Sequence, residues 1–568
     1  MAHSIDQPLL LDIHQWKETG DLLEKAMSRY IELSISLKDS LWPKKATPKE
    51  LTTQIGYALE QIQDSFFPKI FRIRSTLAQI RNSITCPTCA LPREVLSEIF
   101  ANVVFDFSYY SPVSESLKTK VFRIYRAIYN LIGVCTEWRD VVLNNGSFWS
   151  IIPIFGSPSY DLLGENPNPV PTHMLERSKG NLYLVATQLC NPISEPVLSE
   201  LVPRFRAVNI STTSLSTVRN ILSAFLVTNL SAHLGLSEIS IYKDQRDSYY
   251  ESLPQENNNV FSPGSTEHNS FTHLISSLSA IRIRGTQLCW HTFNYSHRLT
   301  ELHLQEVLFG YDEAVANFLG TLSSASQLRV LKFISVRSFY DGPLGDKMPK
   351  IQLPSLQILL ADDLYFNTLD TFLSSITSRS HRLRLLLSGR SLYLRFCRGT
   401  REREEISWET LCELMRNVLV KDLLITGDGI DPWPSSSPKS LGELIKSVVP
   451  GLETLWMNSW NFDAAYCNVL THSSLSQGSL VASIANLYIT RAKVFSSEAI
   501  VDMVTSHLKS IRQLELGLAV QGDGEERWTP VEGDHPLAKA FKDIIPDCRI
   551  TNYQAYPVEF EDAPWELW

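Results

Sequence analysis

Cys86 and Cys89 form a CxxC pair in the stretch CPTCALPREVLSEIF, residues 86 to 100. Two thiols at that spacing suit either a metal or a redox step. Structural zinc wants four ligands, usually two close pairs, but the chain has no second CxxC, no HxxxH follows, and the next cysteine, Cys135, stands alone. Redox use needs a helix opening at the first cysteine to favour its thiolate, whereas the helix signal begins later, at Pro92. The pair therefore reads as part of a linker. A looser group, Cys289, His291, His297 and His303, is no better placed, because His303 lies inside a strand-like segment. No GxxxxGK[ST] phosphate loop, HExxH zinc motif or GxSxG nucleophile elbow occurs. The run RGTREREEISWE (398–409) mixes charge signs and reads as a solvated helix start. The expectation is a non-enzyme without metal or cofactor.

The elements around these residues must supply the function instead. At 568 residues the chain exceeds one ordinary core. With 44% hydrophobic, 10% aromatic and 20% charged residues it has the composition of a folded protein. A formal net charge of -9 gives no global pull toward phosphate backbones or anionic membranes. The start MAHSIDQPLLLDIHQW has no basic residue before Lys17, unlike a secretory signal, and no apolar run reaches the roughly 18 residues that span a bilayer. Nine cysteines then fit reduced thiols. These features point to an intracellular protein of cytoplasm or nucleus, with no nucleic-acid or membrane partner.

After the cysteines, Pro92 suits a first helical position, where a missing N–H costs nothing. Val95, Leu96, Ile99, Phe100, Val103 and Val104 follow at helical spacing. A second helical stretch runs from about Glu115 to Gly133, and a third carries Val134, Cys135, Trp138, Val141 and Val142, with Phe148 and Trp149 closing a small bundle. At these residues the sequence resembles the F-box. Leu91, Pro92, Glu94, Val95, Leu96, Ile99 and Phe100 match its first half, and Val134, Cys135, Trp138, Arg139 and Trp149 its second. The stretch FDFSYYSPVSESLKTK between the halves makes the interval longer than the family norm. The resemblance implies docking on a Skp-type adaptor and, through it, a cullin-RING ubiquitin ligase. Leu91, Pro92, Val95, Leu96, Ile99, Cys135 and Trp138 would be shared between adaptor contact and the bundle's own core.

Ahead of the bundle, residues 9–41 and 50–81 each read as a helix, separated by WPKKATPKE. The second carries Leu51, Ile55, Leu59, Ile62, Phe66, Ile70, Ile73, Leu77 and Ile80 in alternating threes and fours, as in a coiled-coil seam. An antiparallel hairpin and self-association through residues 50–81 both satisfy this pattern. The chain resembles basidiomycete fungal F-box proteins, in which such a helical lead-in is common.

Beyond the bundle a motif recurs: apolar, two residues, apolar, one residue, apolar. It is clear at Phe205/Val208/Ile210, Leu236/Ile239/Ile241, Leu278/Ile281/Ile283, Leu299/Leu302/Leu304 and Leu328/Leu331/Phe333. It weakens at Leu356/Leu359 and Leu383/Leu386, then resumes at Val420/Leu423/Ile425, Leu452/Leu455/Met457, Ile484/Leu487/Ile489 and Ile511/Leu514/Leu516. Its spacing ranges from 21 residues (Leu278 to Leu299) to 42 (Leu236 to Leu278), near or above a leucine-rich repeat's about 20–29. Helical stretches at 215–226, 312–322, 408–419 and 496–508 intervene, and polar inserts at 245–270 and 426–440 read as loops. The fold class expected is an α/β leucine-rich-repeat-like solenoid preceded by an all-α F-box bundle and an N-terminal helical hairpin or coiled coil. The expected divisions are 1–85 helical, 86–152 F-box-like, 153–545 repeat and 546–568 an acidic, aromatic tail.

Strand alternation turns the residue between the last two apolar positions of each motif to the opposite, concave face. That column is Asn209, Ser240, Arg282, His303, Lys332, Leu360, Leu387, Leu424, Trp456, Tyr488 and Glu515. Leu424, Trp456 and Tyr488 are expected to hold an apolar element of a protein substrate, and Arg282, Arg284, His303 and Lys332 its acidic or phosphorylated residues. The tail VEFEDAPWELW could cover the same face. Two functions fit: the substrate-recognition subunit of an SCF-type ubiquitin ligase, or a repeat scaffold whose divergent F-box recruits no ligase.

Overall fold

The computed structural model describes residues 7–41, 49–85, 88, 91–105, 117–155, 172–178, 180, 182–187, 201–227, 235–244, 253, 258–345, 348–377, 381–397, 402–427, 433, 437–475, 484–521 and 528–553. Cys86, Cys89 and the tail from 554 onward lie outside them. The chain divides into two compact units, residues 1–96 with 135–137, and residues 97–134 with 138–568.

The first unit is helical. Helix α1 spans Gln7–Leu41, and α2 (Lys49–Gln61) continues through a π turn (Ile62–Phe66) into α3 (Phe67–Thr85). The π turn explains an irregularity in the apolar stripe. Ile55 to Ile84 covers one residue more than a strict heptad count, and a turn with an extra residue keeps the stripe on one face. Every residue of α1 from 11 to 40 is exposed, and none of α2 to α3 is buried among those whose exposure is described. Helix α4 (Arg93–Phe105) runs from this unit into the second.

The second unit takes the later part of α4 and α5 (Leu117–Val134), and resumes at Trp138 within α6 (Thr136–Asn144). Val121, Ile124, Ile128 and Val142 are fully buried. Trp149 is fully buried too, and its indole Nε1 donates to the Val142 carbonyl at 2.9 Å.

A mixed α/β region with a mostly parallel, open sheet follows, of 16 strands among the described residues. Its parallel ladder runs in strict chain order: β1 (Ile151–Phe155), β2 (Leu182–Thr187), β3 (Phe205–Thr212), β4 (Glu238–Lys243), β5 (Ala280–Arg284), β6 (Glu301–Gln305) and β7 (Val330–Ile334). It continues through β8 (Ile358–Asp362), β9 (Arg382–Leu387), β10 (Val420–Thr426), β11 (Thr454–Asn458), β12 (Asn486–Val494), β13 (Gln513–Gln521) and β14 (Asp547–Ile550). Parallel neighbours need crossover connections, and helices serve most of them: α7 (Leu215–Val227), α8 (Thr266–Ile275), α9 (Asp312–Thr321), α10 (Phe366–Ser375), α11 (Trp408–Arg416), α12 (Pro438–Val448), α13 (Ser497–Ser506) and α14 (Pro536–Ile544). Serine starts several of them. The hydroxyls of Ser265, Ser407, Ser437 and Ser496 each accept from the backbone N–H three residues on, satisfying a donor that the first helical turn leaves open. The core lies between this helical layer and the strand residues that face it, with Phe333 on β7 stacked on Phe372 of α10 at 4.2 Å.

One backbone feature recurs along the ladder. Gly285, Glu306, Ser335, Asp363, Ser459 and Arg491 all have left-handed backbone, with φ between 48° and 64°, each at the same step past its strand's apolar motif. The N–H of each of the first five donates to the carbonyl of the next strand's residue that pairs with the residue before it: Glu306 to Ile334 at 2.9 Å, Ser335 to Asp362 at 2.8 Å and Ser459 to Thr490 at 2.9 Å among them. For the non-glycine residues this conformation costs about 1–2 kcal/mol each, and the shared bond holds it in place.

Three expectations need correction. Residues 266–270 begin α8 rather than continuing the polar insert, because Ser265 caps a helix there. The charged run at 398–409 contains a strand, Arg403–Glu405, paired antiparallel to Tyr393–Arg395, before α11 starts at Trp408. The division expected between 152 and 153 cuts through Ile151–Phe155, which is one strand, the first of the sheet.

Candidate interaction surfaces

Helix α4 has an inner and an outer stripe. Leu96, Phe100 and Val104 are 1–2% exposed, whereas Val95, Ile99 and Val103, one residue earlier in each turn, are 42–58% exposed. Of the seven residues expected at an adaptor surface, Pro92, Val95 and Ile99 are thus outward. Leu96 is buried, and Leu91, Cys135 and Trp138 are half-buried. Trp138 lies 4.7 Å from Phe100, ring centre to ring centre, which makes it part of the bundle's packing. Phe122 and Tyr129 of α5 are also more than half exposed.

On the sheet, alternation sends Leu331, Phe333, Leu359, Leu423, Leu455 and Leu487 toward the core and Arg282, His303 and Lys332 to the other face, side by side on β5, β6 and β7. Arg282 is already engaged. Its guanidinium donates to both oxygens of Glu301 at 2.9 and 2.7 Å and to Glu238 at 3.2 Å. Burial works to lower its pKa, but the two carboxylates outweigh it and hold it above its ordinary value. Arg284 donates to Glu306 at 2.8 Å and lies over the Tyr242 ring. His303 is 4% exposed, and burial, then Lys332, Arg282 and Arg284, lower its pKa to about 3, so it is neutral at physiological pH. Among the described residues, half-buried Lys332 forms no ion pair, which leaves it the cation of this group best placed to meet an acidic partner.

The aromatic part departs further from expectation. Leu424 and Trp456 are 0% and 6% exposed, in one buried cluster with Ile334, Leu360 and Leu386, and Tyr488 packs against it with its ring 4.1 Å from that of Trp456. Tyr488 donates its hydroxyl to Gln513 at 2.8 Å. Alternation told which way Leu424 and Trp456 point but not that they would be covered.

The single column also breaks. Pairing is straight from Lys332 to Leu360 to Arg384, then slips between Leu383 and Arg384 at β10, so this row continues through Asp422 to Thr454. Trp456 belongs to the neighbouring row with Leu424, Leu386 and Ile334. Leu387 is buried on the core side, and Arg384 holds the outward place assigned to it. Around the slip Asp422, 4% exposed, accepts from Arg382 Nε at 2.6 Å and lies 3.2 Å from Arg384 Nε.

Two polar arrays escaped the sequence reading. Asn458, fully buried, donates to Thr426 at 3.1 Å and accepts from Thr490 at 3.0 Å, joining three successive strands. Asp312 at the start of α9 accepts from Ser338 and, at 2.7 Å, from Asn367 Nδ2, while Thr368 bonds Ser338 at 2.7 Å. Comparison with family models and with curated proteins gives no match. Among the described residues no three His, Cys, Asp or Glu side chains gather as metal ligands would, and no helix is long and apolar enough to cross a membrane.

Proposed function

We propose that this chain is the substrate-recognition subunit of an SCF-type cullin-RING ubiquitin ligase, bound to a Skp-type adaptor through α4 and to a protein substrate through a leucine-rich-repeat-like solenoid. The observation that carries the reading is the division of α4: the F-box-like residues Pro92, Val95 and Ile99 are outward, and Val103 extends them, while Leu96 and Phe100 serve packing. An exposed apolar stripe on a short helix is what a docking partner would bury. The repeat reading is supported by the strict strand order, the recurring left-handed residue and the Thr426–Asn458–Thr490 hydrogen bonds that join three successive strands. Such a receptor works by holding substrate near the ligase, so it needs no catalytic group of its own. Of the residues expected to meet substrate, half-buried Lys332, which has no ion pair among the described residues, and the Tyr488 edge would make the contact.

Co-purification with a Skp-type adaptor tests the reading. Val95→Asp with Ile99→Asp should abolish the association and leave the fold intact, since both side chains are outward. Absence of association in the unmodified chain would leave the second reading, a repeat scaffold that recruits no ligase.

A further inference from the structure

The leading helices expose more apolar surface than a lone helix tolerates in water. Isolated helices are marginal there, and most helical stability comes from packing an amphipathic face. In α1, Ile13, Trp16, Leu23, Met27, Tyr30 and Leu37 hold the a and d positions of an unbroken heptad count, with Gly20 and Ser34 in the other two places. The α2–α3 stripe is its antiparallel match. Paired layer by layer outward from the 42–48 connection, beginning with Leu37 on Leu51, Tyr30 falls opposite Leu59, Leu23 opposite Phe66 and Trp16 opposite Ile73. Gly20, which has open space around it, falls opposite Ile70, so a small residue meets a large one. Charge agrees: residues 12–24 carry Asp12, Glu18, Asp21 and Glu24 against Lys17 alone, whereas residues 67–85 carry Lys69, Arg72, Arg74 and Arg81 with no acid. Yet within the chain the seam stays open: every α1 position in it is exposed, and no α2–α3 position is buried, with Leu51, Ile62 and Leu77 half-buried and the others exposed.

We propose that a second copy of this chain closes the seam: α1 of one copy lies antiparallel on α2–α3 of the other, and reciprocally, in a two-fold exchanged dimer. The proposal is independent of the ligase reading, because it uses other residues and another partner. The eight layers on each of two equivalent seams give the dimer the apolar centre that a stable interface needs.

Sedimentation equilibrium of the full chain at micromolar concentration should give twice 64.4 kDa. Leu23→Asp with Ile73→Asp should weaken the dimer by about 100-fold or more, with the urea unfolding of the strand–helix region unchanged. Two further chains separate exchange from pairing within one chain. One carries Glu18, Asp21 and Glu24 changed to Lys, the other Lys69, Arg72 and Arg74 changed to Glu. At low salt each alone should dimerise at least about tenfold more weakly, and mixing should restore the dimer, because only the mixed pair has opposite charges across both seams. A monomeric unmodified chain, a dimer indifferent to Leu23→Asp with Ile73→Asp, or a mixture that restores nothing would each overturn the proposal.

Discussion

Phe333 and Phe71 are equally apolar, yet one is sealed in the strand–helix region and the other is 65% exposed on α3. The difference follows from where backbone hydrogen bonds go. A helix satisfies its own, so α1 and α3 can exist with their side chains outward. A parallel strand satisfies none alone, so each strand of the ladder must be flanked, and flanking brings the helical layer down on Phe333. Apolar residues that remain exposed on such self-sufficient helices, including Val95 and Ile99 on α4, are therefore the informative ones.

Substitutions can break or sharpen that contrast. The largest effect is expected at Phe372→Ala, which removes a fully buried ring from Phe333 and should cost about 3–5 kcal/mol in urea unfolding followed by circular dichroism. A loss below 1 kcal/mol would mean that the ladder is no more closely packed than the helices before it.

Asp312 gives a smaller effect with a sign. Burial raises its pKa from 3.8 to about 6, with Asp341 and Asp370 adding to the rise, against the hydrogen bonds from Ser338 and Asn367 that work to lower it. The folded chain therefore holds this proton more tightly than the unfolded one. The stabilisation is full below about pH 4 and is lost as pH rises through about 6. Unfolding free energy should fall by about 1–2 kcal/mol between pH 5 and 7, and Asp312→Asn, which keeps the acceptor oxygen and discards the titration, should flatten that part of the profile. An unchanged profile in the Asn variant would assign the slope to another group. The smallest effect is at Phe71→Ala, which should alter the strand–helix unfolding by less than about 0.5 kcal/mol.

Much of this was legible in the sequence. The helical stretches at 215–226, 312–322, 408–419 and 496–508 and the strands that carry the apolar motif lie where the sequence puts them, whereas the single apolar stripe read on α4 divides into an inner and an outer one. What escaped has physical causes. The left-handed positions are mostly filled by Glu306, Ser335, Asp363, Ser459 and Arg491 rather than glycine, so no residue type announces them. The slip at Leu383 was hidden because RLRLLL offers leucine in both phases, and a strand of that kind specifies its register weakly. Asn458 is a lone asparagine at the end of its strand, and its role appears only once Thr426 and Thr490 flank it. The burial of Trp456 and the carboxylates around Arg282 come from neighbouring strands, which alternation within one strand does not reveal.

The central claim is that the outward stripe of α4 is a docking surface for a Skp-type adaptor. Isothermal titration of purified adaptor into the full chain tests it most directly. Saturable binding of one adaptor per chain, weakened at least about 100-fold by Val95→Asp with Ile99→Asp at an unchanged melting temperature, is the predicted result. No heat of binding to the unmodified chain, or binding that the two aspartates leave untouched, would contradict the account.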